Sequence, residues 1–242
     1  MYLSKVKLNP YRRDTVKAID SPQVIHAAVM SAFDSCPDRG RVLWRTDRVG
    51  DSLNLLIVSG GRPDIGCLVD RFGYPEDGDS WKSLPYDGIL DGLCEGQYKR
   101  FRLRANPVRS IMSKSSGSRG KPVALTTPGE QMDWLRERTD RYGFVTADAG
   151  TEPELQVVQK DTRKFIRRGK MVTINTATFQ GVLCVTDAEN FRKALTEGIG
   201  RAKAYGCGLL TVSDLQINSF PAQAGVIPAD REFEAFGPTF PA

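Results

Sequence analysis

The sequence predicts an α+β protein built from two consecutive β-α-β-β-α-β units. Several short segments alternate apolar and polar residues, as strands with one buried face do, and other segments place apolar residues at helical spacing. The order of these segments restarts after Cys-Glu-Gly-Gln at residues 94–97, which we interpret as a domain boundary. A chain of 242 residues is long enough for two small domains with a core each.

The first unit is predicted over residues 1–94. It begins with an alternating strand at Tyr2–Leu8, and a helix follows in which Ser21 is the N-cap and Pro22 the first helical residue. The remaining elements are a strand, a strand, a helix and a strand, at residues 42–48, 53–59, 65–72 and within 84–93.

The second unit is predicted over residues 97–214. Its elements are a strand, a helix, two long strands, a helix and a strand, at residues 98–105, 129–142, 155–166, 171–185, 188–196 and 209–213. We expect a flexible loop at 113–121 and a flexible tail at 215–242. Two such units correspond to tandem ferredoxin-like (RRM-like) domains, each an antiparallel sheet with helices on one face. The other face of each sheet is then expected to be free for a ligand.

The charge distribution favours a polyanionic partner. The net charge is +5, and residues 97–213 carry 21 Lys and Arg against 11 Asp and Glu. A basic half of this kind suits nucleic-acid binding, although a solvated basic face is the alternative interpretation. Five cysteines without a C-x-x-C pair indicate neither a disulfide framework nor a zinc knuckle. With no secretory signal pattern and no apolar run of membrane-spanning length, we expect a cytoplasmic protein.

A glycine-rich segment, GIGRAKAYGCGLL at residues 198–210, lies between the last predicted helix and the last strand. A dinucleotide fingerprint needs the opposite order, strand then loop then helix, and it needs glycine where Lys203 stands. Two interpretations stay open: a helix C-cap followed by a tight turn, or a loop whose backbone approaches a phosphate.

Four blocks of sequence, in order from Met1 to about Ser213, resemble one known family. They are MYLSKVKL, FRLRANPVRSIM, FQGVLCVTD and GIGRAKAYGCGLL. The glycine pattern before the last strand is similar to that of the RAMP superfamily of CRISPR-associated RNA-binding proteins. Within it, the four blocks resemble the CasE (Cse3) family, the endoribonuclease of the type I-E Cascade complex.

The resemblance implies metal-independent cleavage of CRISPR precursor RNA at the base of a repeat hairpin. The ribose 2′-hydroxyl attacks the adjacent phosphate, which leaves a 2′,3′-cyclic phosphate and a 5′-hydroxyl, and the product stays bound within Cascade. The implied partners are a repeat stem-loop and other Cascade subunits. No metal, no small-molecule cofactor and no membrane is expected.

His26 is the only histidine of the chain and is the candidate catalytic residue. It lies beside, rather than on, the apolar stripe of Ile25, Ala28 and Val29 on the first predicted helix, so partial exposure is expected. An imidazole that titrates near neutrality suits proton transfer, although a core histidine is the alternative. The resemblance places the family's catalytic histidine on His26. At the family's tyrosine position this chain has Gln23, which can bond to a phosphate or orient the imidazole.

The candidate RNA-binding residues cluster in four segments of the second unit. Residues 160–170 carry six cations and one acid, and the resemblance implies that this basic hairpin enters the groove of the RNA stem. A solvated edge hairpin is the alternative. The candidates are Arg102 and Arg104 on a strand; Lys114, Arg119 and Lys121 in the loop; Arg163, Lys164, Arg167, Arg168 and Lys170 on the hairpin; and Gly198, Gly200, Arg201, Lys203, Gly206 and Gly208 in the glycine-rich segment.

The sequence therefore leaves three functions in order of preference. The first is a CRISPR RNA endoribonuclease, and the second is a non-catalytic subunit that binds an RNA hairpin and has a structural role. The third is a nucleotide-binding enzyme that uses the glycine-rich segment.

Overall fold

The structure is a computed structural model that describes residues 1–36, 38–111, 121–148, 154–167 and 169–215. These residues form two main antiparallel sheets, each accompanied by helices, in agreement with the tandem ferredoxin-like prediction. In the described ranges, no helix combines the length and the apolar character needed to cross a bilayer.

The first domain has the predicted topology, with strand order β2-β3-β1-β4. Its strands are β1 (Tyr2–Leu8), β2 (Leu43–Val49), β3 (Ser52–Ser59) and β4 (Trp81–Pro85), and its helices are α1 (Arg13–Asp20), α2 (Pro22–Ser31), α3 (Gly66–Phe72) and α4 (Asp87–Asp91). The last strand ends earlier than predicted, and α4 occupies the segment assigned to it. Tyr86 and Leu90 are both buried and lie four residues apart, which is helical spacing, and the Leu90 N–H donates to the Tyr86 carbonyl oxygen at 3.1 Å.

Helix α1 was not predicted, and it lies immediately before the predicted helix, α2. Pro22 is the first residue of α2 and Ser21 is its N-cap, as expected, with φ −124° and ψ 99° in the extended region that N-caps adopt, but the Ser21 side chain makes no capping bond. A residue that precedes proline is pushed out of the helical region, so the chain must break between the two helices.

The second domain has strand order β11-β5-β10-β8, with β9 also paired to β10. Its strands are β5 (Tyr98–Ala105), β6 (Val108–Ile111), β7 (Lys121–Ala124), β8 (Phe144–Thr146), β9 (Leu155–Arg167), β10 (Lys170–Val185) and β11 (Leu210–Asp214). Its helices are α5 (Pro128–Thr139), α6 (Ala188–Glu197) and two 3₁₀ turns, η1 (Asp140–Tyr142) and η2 (Lys203–Tyr205). Because Thr146 faces Leu183 and Leu155 faces Gly181, β8 and β9 lie end to end along β10. The short strands β6, β7 and β8 were not predicted.

The inner face of the first sheet is covered by the second domain, so the expectation that this face is free for a ligand is wrong. Leu3, Leu43, Leu56 and Val58 are buried in the same apolar cluster as residues of α6 and β11. The strand alternation predicted one buried face on this sheet, and the structure buries both, because the second domain covers the face that was expected to be free.

A buried ion cluster joins the two domains. Arg45 on β2 is fully buried and donates to both carboxylate oxygens of Asp47 at 2.7–2.9 Å. It also donates to the carbonyl oxygens of Arg102 and Leu209, both at 2.8 Å, and to the Thr211 hydroxyl at 2.8 Å. Every donor of this guanidinium therefore has an acceptor, three of them on the other domain.

Candidate functional site

An open cleft between α2 and the glycine-rich segment contains the chain's histidine. His26 and Met30, one turn apart on α2, form one wall, and Lys203 and Ala204 of η2 form another. The rest of the cleft is lined by the segment after α2, residues 39–42. His26 is half-buried, so its imidazole is held by the fold and is still reachable from solvent.

Helix α2 presents His26 to this cleft because its other side faces the core. Ile25, Ala28 and Val29 are buried against the first sheet, and His26 lies next to this stripe. The predicted placement beside the stripe is confirmed. Since α2 packs against η2, the histidine meets residues from the far end of the chain.

The glycines of the segment 198–208 allow close packing, at Gly206 between the domains and at Gly200 within the second domain. All four have positive φ, and a Cβ on Gly206 would lie 2.7 Å from the Trp44 ring of the first domain. A Cβ on Gly200 would lie 3.2 Å from the Trp134 ring. Packing and backbone conformation account for glycine here, and contact of these glycines with RNA stays a prediction. The segment runs from α6 to β11, which is the reverse of the dinucleotide order.

Lys203 is fixed at the edge of the cleft by its own loop. Its Nζ donates to the carbonyl oxygen of Glu197 at 2.6 Å. Burial lowers the pKa of the Lys203 ammonium, and the positive charge of Arg41 lowers it further. Glu197 raises this pKa in part, and Arg141 lowers it. The ammonium therefore stands among cations in a half-buried position, where an anion would be bound favourably.

The β9–β10 hairpin contacts the first domain beside α2. Arg163 donates to the carbonyl oxygen of Ile19 at 2.6 Å, and Phe165 packs on the Tyr205 ring at 4.9 Å between centroids. Gln23 Nε2 donates to the carbonyl oxygen of Ile166 at 2.8 Å. Gln23 thus ties the helix that carries the histidine to the basic hairpin.

Comparison with known proteins gives the family of the chain. The family model described as "CRISPR associated protein" matches residues 1–213. The CRISPR-associated endoribonuclease Cse3 of Thermus thermophilus is 32% identical over 224 residues, 88% of this chain and 100% of that protein. This chain belongs to the CasE (Cse3) family of CRISPR-associated proteins.

A second relative and a solved structure agree with this assignment. The Cascade subunit CasE of Escherichia coli K12 is 33% identical over 121 residues, 48% of this chain and 57% of that protein. A solved structure of Thermus thermophilus Cse3 bound to an RNA that represents a pre-cleavage complex has a TM-score of 0.70 and 30% identity. The match covers 87% of this chain and 98% of that one.

The structure of this CasE-family chain brings only some of the predicted site residues together. His26 and Lys203 line the cleft, with Arg201 exposed in the same loop, and Gln23 contacts the hairpin. Lys164 and Lys170 are exposed on the hairpin. Lys114, Arg119 and Arg168 lie outside the described residues, and Lys121 and Arg167 are placed by their strands alone.

Arg102 and Arg104 are not on an open surface where RNA could reach them. They share one face of β5, as the alternation predicts, but that face is covered. Arg102 Nε is 3.3 Å from Asp47 in the interdomain ion cluster, and Arg104 pairs with Asp161 at 3.0 Å. Burial lowers the pKa of Arg102, and Asp47 opposes this shift. Because both side chains already pair with carboxylates away from an open surface, we leave both out of the RNA contacts proposed below.

Sequence reasoning missed two cations of the cleft, Arg39 and Arg41. They flank Gly40, whose φ is +57°, in the segment that follows the histidine's helix. Their signal in the sequence was the Arg-Gly-Arg triplet at residues 39–41, after the predicted helix that carries His26. A triplet this short does not indicate a binding site unless the fold shows what it faces. Within the described ranges, no three His, Cys, Asp or Glu side chains group together as metal ligands.

Proposed function

We propose that this protein is the endoribonuclease that processes CRISPR precursor RNA. It binds a repeat stem-loop, cleaves at the base of the stem and keeps the product within a Cascade complex in the cytoplasm. The observation that carries the proposal is the position of His26, the chain's one general acid–base candidate near neutral pH, in an open cleft with three cations. Membership of the CasE family supports the same activity.

The reaction is an internal transesterification. The 2′-oxygen forms a bond to phosphorus and the bond from phosphorus to the 5′-oxygen breaks, which leaves a 2′,3′-cyclic phosphate and a 5′-hydroxyl. One proton leaves the 2′-hydroxyl and one is gained by the 5′-oxygen. His26 transfers a proton at one of these two oxygens, as a general base or as a general acid.

The hairpin holds the stem so that the scissile linkage reaches the cleft. Lys164 and Lys170 are exposed on it, Arg167 is the last residue of β9, and Arg168 follows in the sequence. Cations in this position bind phosphates of an A-form stem without reading its sequence. The Gln23 bond to Ile166 fixes the distance between stem and histidine, because it joins α2 to the end of β9.

The test compares His26→Ala with the unmodified protein on a synthetic CRISPR repeat stem-loop. We expect single-turnover cleavage to fall by about 10²- to 10⁴-fold, as for loss of a general acid or base. The dissociation constant for the stem-loop with a 2′-deoxy substitution at the scissile site should change by less than about twofold, because the role proposed for His26 is proton transfer, while cations of the hairpin bind the phosphates of the stem. Cleavage by His26→Ala at the unmodified rate contradicts the proposed role.

A non-catalytic RNA-binding subunit is the second candidate. The observation that favours it is Gln23, which stands at the family's tyrosine position and bonds to the hairpin rather than facing the cleft. The two functions differ in one result: a structural subunit binds the stem-loop and leaves it intact, even in the unmodified protein.

A further inference from the structure

The proposed reaction creates a charge that the protein must stabilise, and the further inference rests on that function. When the 2′-oxygen adds to phosphorus, negative charge accumulates on the two non-bridging oxygens of the phosphate. Cations that already stand at the right place lower the free energy of this transition state, because no reorganisation is needed at the moment of reaction. His26 alone transfers protons and does not supply a permanent positive charge.

The cleft that contains His26 also supplies fixed cations. Arg41 comes from the segment after α2, and Lys203 comes from η2 of the other domain. Both line the same cleft, where burial lowers the pKa of Lys203 and the positive charge of Arg41 lowers it further. Like charges in a half-buried cleft repel each other, and a phosphate bound between them would replace this repulsion with attraction.

Lys203 is held in place by strained backbone. Ala202, directly before it, has φ +64° and is the one non-glycine residue with positive φ in the described part of the chain. Residues with a Cβ seldom adopt this left-handed conformation, so the surrounding contacts must enforce it. Strain of this kind concentrates at functional sites, where it orients a side chain.

Two contacts maintain the orientation. The Lys203 Nζ bond to the Glu197 carbonyl oxygen ties the ammonium to the end of α6. The Tyr205 ring, two residues later in η2, packs on Phe165 of the hairpin. The position of the ammonium is thus set before RNA binds, and the hairpin that holds the RNA helps to set it.

We propose that Lys203 and Arg41 hold the non-bridging oxygens of the scissile phosphate and stabilise the negative charge of the transition state. Lys203 lies on η2, which packs against α2, and it lines the same cleft as His26. Arg41 assists from the segment after α2. In this proposal the glycine-rich segment binds the phosphate with the Lys203 side chain. Its glycines have a different role, which is to allow close packing around the segment.

The experiment measures single-turnover cleavage of the synthetic repeat stem-loop by Lys203→Met and Lys203→Arg. Lys193→Met is the matched control, because Lys193 is an exposed lysine of α6 that pairs with Glu189 and is absent from the cleft lining. We expect Lys203→Met to cleave about 100-fold more slowly, Lys203→Arg to recover most of the rate, and the control to match the unmodified protein. The dissociation constant for the 2′-deoxy stem-loop should rise less than about 10-fold for Lys203→Met.

Phosphorothioate substrates separate a direct contact from a structural effect. One non-bridging oxygen at the scissile phosphate is replaced by sulfur, and the two diastereomers are cleaved separately. We expect the unmodified protein to cleave one diastereomer more slowly than the other, and Lys203→Met to lose most of that difference because its contact is already gone. Folding is followed by the thermal midpoint of each variant.

The outcomes distinguish the two proposals. If the unmodified protein does not cleave, or His26→Ala cleaves normally, the proposed function fails. If both of these results are as expected but Lys203→Met cleaves at the unmodified rate, the inference alone fails. An equal loss of binding and cleavage also overturns it, because Lys203 would then hold the ground state as strongly as the transition state. A diastereomer preference that Lys203→Met retains overturns it as well, because Lys203 would then not contact the non-bridging oxygens.

Discussion

Replacing Asp47 with asparagine should strongly destabilise the protein, because it removes a carboxylate that faces two guanidinium groups at the domain interface. Arg45 is fully buried and Asp47 is 4% exposed, with oxygen to nitrogen distances of 2.7–2.9 Å, and Arg102 Nε is 3.3 Å away. The asparagine amide would keep the shape of the carboxylate and leave both cations without a counter-charge. Breaking a buried pair in this way costs about 3–5 kcal/mol, a large part of a total stability of about 5–15 kcal/mol.

Urea unfolding of Asp47→Asn, followed by tryptophan fluorescence and circular dichroism, measures this loss from the midpoint and slope. Asp14→Asn is the control, because Asp14 and Arg71 form a pair at 3.7 Å in which both side chains are half exposed. That variant should lose less than about 1 kcal/mol. If Asp47→Asn loses no more than this control, the ion cluster does not hold the domains together and our account of the interface is wrong.

Three further predictions concern the loop, the hairpin and the chemistry. Gly206→Ala should lose at least about 1 kcal/mol of unfolding free energy, because the φ of Gly206 is +77° and the new Cβ meets the Trp44 ring. The control is Gly129→Ala, which has open space around the new Cβ and should lose none in the same urea titration. Arg167→Ala combined with Arg168→Ala should reduce the slope of log affinity against log salt by roughly 1–2 in filter binding of the stem-loop. An unchanged slope means that these two arginines make no phosphate contact. Cleavage should continue at an unchanged rate in excess EDTA, and a strict magnesium requirement would contradict the proposed mechanism.

Local patterns predicted most elements of the fold, because they depend on neighbouring residues. Tyr98–Ala105 alternates and forms β5 with the predicted bounds, and Pro22 opens α2 as expected. The three residues of β8 have no such pattern and form a strand only because β10 offers backbone partners. Arg102 shows the limit of alternation: period two identifies the face of β5 on which a side chain lies, but not what covers that face.

The sequence by itself determined the order of most strands and helices, the excess of positive charge in the second half, and the identity of the one imidazole available for proton transfer. Only the tertiary structure decided that Lys203 and Arg41 stand with His26 in one cleft, and that Arg102 is buried at an interface. The physical reason is that local periodicity encodes which face of each element is apolar. Packing and buried charge across the interface decide how the apolar faces of the two domains pair. They therefore also decide which distant side chains come into contact.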